Sequence, residues 1–194
     1  MSMLTLLTKS KITQKIILLF VYNPGRRYYI NEIARIVGTS AGNTHRALEK
    51  LEQGDFLTKE KKDNATYYQT NTANPLFNDF KKFIDKTIGI DKILKNELDK
   101  LPFIQFAFLF GSYVKGGFNA NSDIDLYVIG NIDEKKLHGA IKTAEEQINR
   151  EINYHFSSAP EFQQKRKDSF FHKEILQSFN LIIGDENEFR RAIQ

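Results

Sequence analysis

Apolar residues at Ile12, Ile16, Leu19 and Phe20 recur at the spacing of one helical face, which predicts a helix over Lys9 to Tyr22. Asn23-Pro24-Gly25 ends it, since proline cannot continue a helix and glycine accepts the turn that follows. Asn31 stands as a cap before Glu32 to Val37, a second helix stopped by Gly38. A third runs from Ala41 to Gly54 with Ala47, Leu48 and Leu51 apolar. Thr58 to Lys62 and Ala65 to Thr70, on either side of Asp63-Asn64, read as two strands of a hairpin. Asn74-Pro75 marks a boundary, and an apolar stripe from Leu76 to Leu101 then predicts one or two helices with a break near Gly89. Phe103 to Phe110 is apolar apart from Gln105, as in a buried strand. Asp123 to Ile129 and Glu151 to Phe156 are further strands, Asp168 to Phe179 is a helix, and Asn180 to Asp185 is a closing strand.

Composition narrows the class. Of 194 residues, 41% are hydrophobic and 27% charged, the balance of a soluble globular chain. The absence of cysteine excludes disulfides and thiolate metal sites and fits a reducing compartment. The longest apolar run, Ile16 to Tyr22, is far short of the roughly 18 residues of a membrane span. Lys9, Lys11 and Lys15 imitate the start of a signal peptide, but no small-residue cleavage site follows the run. The expectation is a soluble, cytoplasmic protein with no membrane partner. The net charge of +4 is uneven: residues 1–74 hold 11 of the 28 Lys and Arg but only 6 of the 24 Asp and Glu. A surplus of +5 there against −1 beyond it suggests two modules, the first facing a polyanion.

The order of elements over about residues 8–72 resembles the winged helix-turn-helix domains of bacterial and archaeal transcription regulators. The resemblance implies that Ala41 to Gly54 enters the major groove of double-stranded DNA while the Lys59–Tyr67 hairpin lies along phosphates. Asn43 and Arg46 carry groups for base edges, and Ser40 and Thr44 suit phosphates. Lys59, Lys61 and Lys62 would supply the salt-sensitive part of binding. The same residues also suit a merely solvated helix face, and some domains of this kind bind proteins instead. Such regulators bind paired half-sites, which implies a homodimer.

Chemistry concentrates further on. After the strand ending at Phe110 come Gly111-Ser112, ten residues, and Asp123-Ile124-Asp125. Residues two apart in a strand share a face, so Asp123 and Asp125 present their carboxylates together. Such a pair calls for a cation or donors, and Mg²⁺ is the usual hard ion where phosphate is the substrate.

This spacing, with Lys115-Gly116 and Ser122 inside it, resembles the polymerase-β-type nucleotidyltransferase superfamily and its minimal branch over residues 101–186. The resemblance implies that Gly111 and Ser112 hold nucleotide phosphates, aided by Lys115 and Ser122, and that Asp123 and Asp125 bind Mg²⁺. Gly111, Ser112, Asp123 and Asp125 are thus the candidate catalytic set. The implied reaction moves a nucleoside monophosphate from a triphosphate, ATP first among them, to an acceptor. A sibling group acts as antitoxin by nucleotidylating its partner, which extends the acceptors to proteins. The superfamily adds a third carboxylate from a later strand, where this chain has Asn153. An amide takes no proton from an acceptor. Glu151 sits two residues earlier, displaced by about 6.6 Å along a strand. The four histidines show no metal-ligand spacing and read as satisfied or surface residues.

The expected architecture is α+β: a winged helix-turn-helix domain over 1–74, a helical connector over 75–100, and a mixed-sheet nucleotidyltransferase domain with flanking helices over 101–194. The leading reading is a DNA-binding protein, a transcription regulator, carrying a Mg²⁺-dependent nucleotidyltransferase. The alternative is a regulator whose catalytic domain has become a nucleotide sensor, and a template-independent polymerase is a third.

Overall fold

The computed structural model describes residues 10–116 and 122–194, so Lys9 and the spacer residues Gly117 to Asn121 lie outside the described residues. It is an α+β structure of two compact units, Met1–Gly89 and Ile90–Gln194.

In the first unit α1 (Lys11–Tyr22) starts at Ser10, whose Oγ accepts from the Thr13 amide, and every residue from Ile16 to Tyr22 is buried. The longest apolar run is therefore a core helix. Tyr28–Tyr29 form β1, a two-residue strand that the sequence pattern does not announce. It leads directly into α2 (Ile30–Val37), so Asn31 lies inside the first turn rather than capping it; Tyr29 holds the cap position without a side-chain bond. Gly38 ends α2 with φ 71°, the left-handed conformation expected of it. Ser40 caps α3 (Ala41–Gln53) by accepting from the Asn43 amide.

Strands β2 (Leu57–Lys62) and β3 (Ala65–Thr70) join β1 in an antiparallel sheet of order β1-β3-β2. Asp63 and Asn64 have φ of 47° and 63°, the positive values a two-residue hairpin turn needs, and short polar side chains tolerate them. Helix α4 (Phe77–Thr87) closes this unit: Tyr22 Oη donates to Asp85 Oδ1 at 2.6 Å, and the Phe56 and Phe80 rings meet edge-on at 5.3 Å.

The second unit opens with α5 (Ile90–Leu98). The stretch read as a connector is thus shared: Phe80 and Ile84 are buried in the first unit, and Ile90, Ile93, Leu94 and Leu98 in the second. Then follow β4 (Ile104–Phe110), the one-turn α6 (Gly111–Lys115), β5 (Ile124–Gly130), α7 (Glu134–Ile148) and β6 (Ile152–Ser157). Next comes α8 (Ala159–Asp168), and the helix expected over Asp168 to Phe179 is the shorter α9 (Phe170–Ile175), which starts later because Ser169 takes extended geometry and caps it. Last come β7 (Asn180–Ile183) and α10 (Glu186–Ile193).

The sheet order is β6-β5-β4-β7, with β5 and β6 parallel and the other pairs antiparallel. Two parallel neighbours need a crossover, and α7 supplies it, burying Leu137, Ile141, Ala144 and Ile148. Phe108, Phe110, Tyr127, Phe162 and Phe189 form an aromatic core on one side of this sheet. Among the described residues no helix is long and apolar enough to cross a membrane.

Candidate nucleotide site

The register of the second sheet builds the site. Phe110, the last residue of β4, pairs with Asp125 on β5, and Asp125 pairs with Asn153 on β6. Directly after Phe110 the chain turns into α6 at Gly111, whose φ of 71° suits glycine. A Cβ there would sit 2.1 Å from Asp125 Oδ2, so only glycine lets the backbone come this close to the carboxylate. Gly116 ends the turn in the same left-handed region, its amide donating to the Ser112 carbonyl. Tyr113 Oη and Asn180 Nδ2 both donate to Asp91, at 3.1 and 2.8 Å, and so tie α6 to α5 and β7. The sequence marks Gly111 and Ser112 as candidates; the helix that they open is the structure's addition.

Asp125 is half-buried while Asp123, just before β5, is exposed. Burial pushes the Asp125 carboxyl above its ordinary range; the Asn153 amide, donating to Oδ1 at 3.2 Å, pulls it down, and the Asp123 charge raises it again. The two acids therefore feel one another, as their spacing predicts. Asn153 stands in the third position of the row, and its Nδ2 gives Asp125 a neutral hydrogen bond. Glu151 is exposed and precedes β6, contributing its carbonyl to the Ile124 amide at 3.2 Å. Among the described residues no three His, Asp or Glu stand together as a metal cage. The two neighbouring carboxylates nonetheless suit a hard divalent ion, whose charge would offset the burial and the Asp123 repulsion that raise Asp125.

Lys115 and Ser122 are not drawn into the row. The Lys115 ammonium pairs with Glu174 at 3.5 Å, both half-exposed, and the Ser122 carbonyl accepts from the Arg150 guanidinium. One pleat beyond the row, Tyr127 pairs with His155. His172 Nε2 and Ser157 Oγ lie 2.9 and 3.1 Å from the Tyr127 hydroxyl, and burial raises its pKa. His172 is itself buried, which lowers its pKa, with Lys165 and His155 adding to the effect. The sequence pattern reads His155 and His172 only as satisfied or surface residues and does not single out Tyr127. The signal was the even spacing of Tyr127 from Asp125 and of His155 from Asn153, which puts each pair on one face.

In the first unit Asn43 and Arg46 are exposed on α3, joined by an Arg46 Nη2 to Asn43 Oδ1 bond of 2.6 Å. Asn43 Nδ2 also donates to Thr39 Oγ1. Ser40 is exposed but committed to its cap. Thr44 corrects the expectation: it is fully buried and its hydroxyl donates to the Ser40 carbonyl at 3.0 Å, so it is a packing residue with no reach to a phosphate. Lys59, Lys61 and Lys62 are exposed on β2, with Lys59 paired to Glu52 at 3.1 Å.

The family model of the polymerase beta nucleotidyltransferases matches residues 92–188. The chain belongs to this family. The match takes in α5 as well as the sheet, so the nucleotidyltransferase unit begins earlier than the motif suggests. No curated protein matches the chain. Among solved structures, a chain of a toxin–antitoxin complex crystallised with AMP-PNP is 19% identical, over 53% of this chain and 80% of that one, with a TM-score of 0.41. A structure of a tri-AMPylated HEPN toxin in complex with MNT antitoxin from Shewanella oneidensis is 16% identical over 53% and 80%, with a TM-score of 0.34. Reduced HlyU from Vibrio cholerae is 11% identical over 43% of this chain and 81% of that chain, with a TM-score of 0.35.

Proposed function

We propose that this protein is a DNA-binding regulator whose nucleotidyltransferase unit binds a nucleoside triphosphate with Mg²⁺ and reports its presence rather than turning it over rapidly. The observation that carries this reading is Asn153, whose amide is bonded to Asp125 where the family would place a third carboxylate. Gly111 and Ser112 would face the phosphates, Asp123 and Asp125 would hold Mg²⁺, and Lys115 would serve once released from Glu174. The ion supplies positive charge against the triphosphate. Asn153 cannot accept the proton that an attacking hydroxyl must lose, so transfer lacks its base.

The winged helix-turn-helix reading of the first unit rests on its helix, strand, helix, helix, strand, strand order and on the exposed Asn43, Arg46, Lys61 and Lys62. The close approach of Gly111 to Asp125 favours a second reading in which the unit transfers a nucleoside monophosphate to an acceptor, a protein among the candidates.

Labelled ATP with Mg²⁺ decides between them. On the first reading ATP raises the melting temperature, no label is transferred, and Asn153→Asp creates labelling. Labelling by the unaltered chain that vanishes in Asp123→Ala and Asp125→Ala would establish the second. Absence of ATP binding would end both.

A further inference from the structure

Parallel to the acidic row runs an aromatic one. Phe108 on β4 pairs with Tyr127 on β5, and Tyr127 with His155 on β6. Their rings form a ladder: Phe108 and Tyr127 stack at 5.5 Å and 6°, Tyr127 and His155 at 6.1 Å and 23°. Because β6 is an edge strand, the ladder ends at an exposed ring, with Phe171 leaning on it at 5.0 Å and 58°. Beside it opens a cavity of about 360 Å³ lined by Tyr127, Tyr154, His155, Lys165, Phe171 and His172. Of these, His172 is only 6% exposed, and its Nδ1 is buried without a hydrogen-bond partner while Nε2 holds the Tyr127 hydroxyl. A ring wall and a lysine at one opening suit a planar heteroaromatic ligand of nucleoside size.

We infer that this cavity receives the purine base of the bound triphosphate, stacked on the exposed His155 ring with the inclined Phe171 ring against its edge and Lys165 at the opening. The inference rests on the nucleotide reading above. The strand register supports it: the cavity walls Tyr127 and His155 follow Asp125 and Asn153 by two residues on β5 and β6, so they share a face with the acidic row. Consecutive same-face positions on a strand are about 6.6 Å apart, so a ribose can bridge from the acidic row to the ring row.

The test compares ATP with inorganic tripolyphosphate, both with Mg²⁺, by calorimetry on the full chain. His155→Ala and Phe171→Ala, at exposed positions whose loss leaves the core intact, should each weaken ATP about ten-fold and leave tripolyphosphate unchanged. Unchanged ATP affinity in both variants, or an equal loss for both probes, overturns the base pocket and leaves the phosphate site standing. A native chain that binds neither probe removes the nucleotide reading itself, and this assignment with it.

Discussion

Asn43 and Arg46 stand on the exposed face of a helix, bonded chiefly to one another and to Thr39, and Lys61 and Lys62 extend from a hairpin. Gly111, Asp125 and Asn153 are instead held by the register of three strands, and Gly111 has no room for a methyl group. The first unit hangs its candidate function on a scaffold that does not need those side chains. The second makes its candidate residues part of the scaffold. Substitutions should therefore separate binding from folding in one unit and confound them in the other.

Gly111→Ala should have the largest effect. It forces a Cβ into the left-handed region and against Asp125 Oδ2, which predicts a loss of about 2–4 kcal/mol in the second unit together with loss of any ATP-induced stabilisation. Thermal unfolding with and without ATP measures both, and native stability would show that the backbone can move away.

Arg46→Ala should leave folding within about 0.5 kcal/mol yet weaken DNA by about 1–3 kcal/mol, while Lys61→Ala with Lys62→Ala should flatten the salt dependence. Thr44→Val, at a buried position, should change no salt slope; if it does, the separation proposed for this unit fails.

The smallest effect concerns Asp125. Its pKa lies above the ordinary value chiefly through burial, so the folded chain holds this proton more tightly than the unfolded chain does. Ionisation therefore costs stability at all pH values above the raised pKa, and the cost disappears below the ordinary carboxylate range. Asp125→Asn should raise the melting temperature slightly at neutral pH without divalent ions, by about 2 °C, with the gain fading on acidification. A pH-independent loss would show that the carboxylate is a structural partner instead.

Legibility differed by element. Helices with one apolar face and a polar cap, such as α1 and α3, were readable because burial and capping act within a few residues. Strand β1 was not, since two tyrosines become a strand only by pairing with Tyr67 and Tyr68 some forty residues on. Thr44 looked like a phosphate contact by type and position; its rotation into the core depends on which face of α3 the first unit buries. The helix expected over Asp168 to Phe179 proves shorter at both ends, since Ser169 becomes its cap and the helix stops at Ile175.

Within the candidate site, the Gly-Ser and Asp-x-Asp residues were visible in the chain because their chemistry is local: a glycine at a turn and two acids on alternate positions. The alignment of Asn153 with Asp125 was legible only as a resemblance, and becomes a contact through the parallel pairing of β5 with β6.

By itself the chain determined the two charge regimes, the acidic pair, the hairpin and the absence of long apolar spans, all consequences of composition and near-neighbour geometry. Tertiary structure decided the closeness of Gly111 to Asp125, the half-burial that raises that carboxyl, and the ring ladder that ends at His155. Each of those depends on strand register, and register is set by the packing of whole sheet faces, a quantity that no short stretch of residues contains.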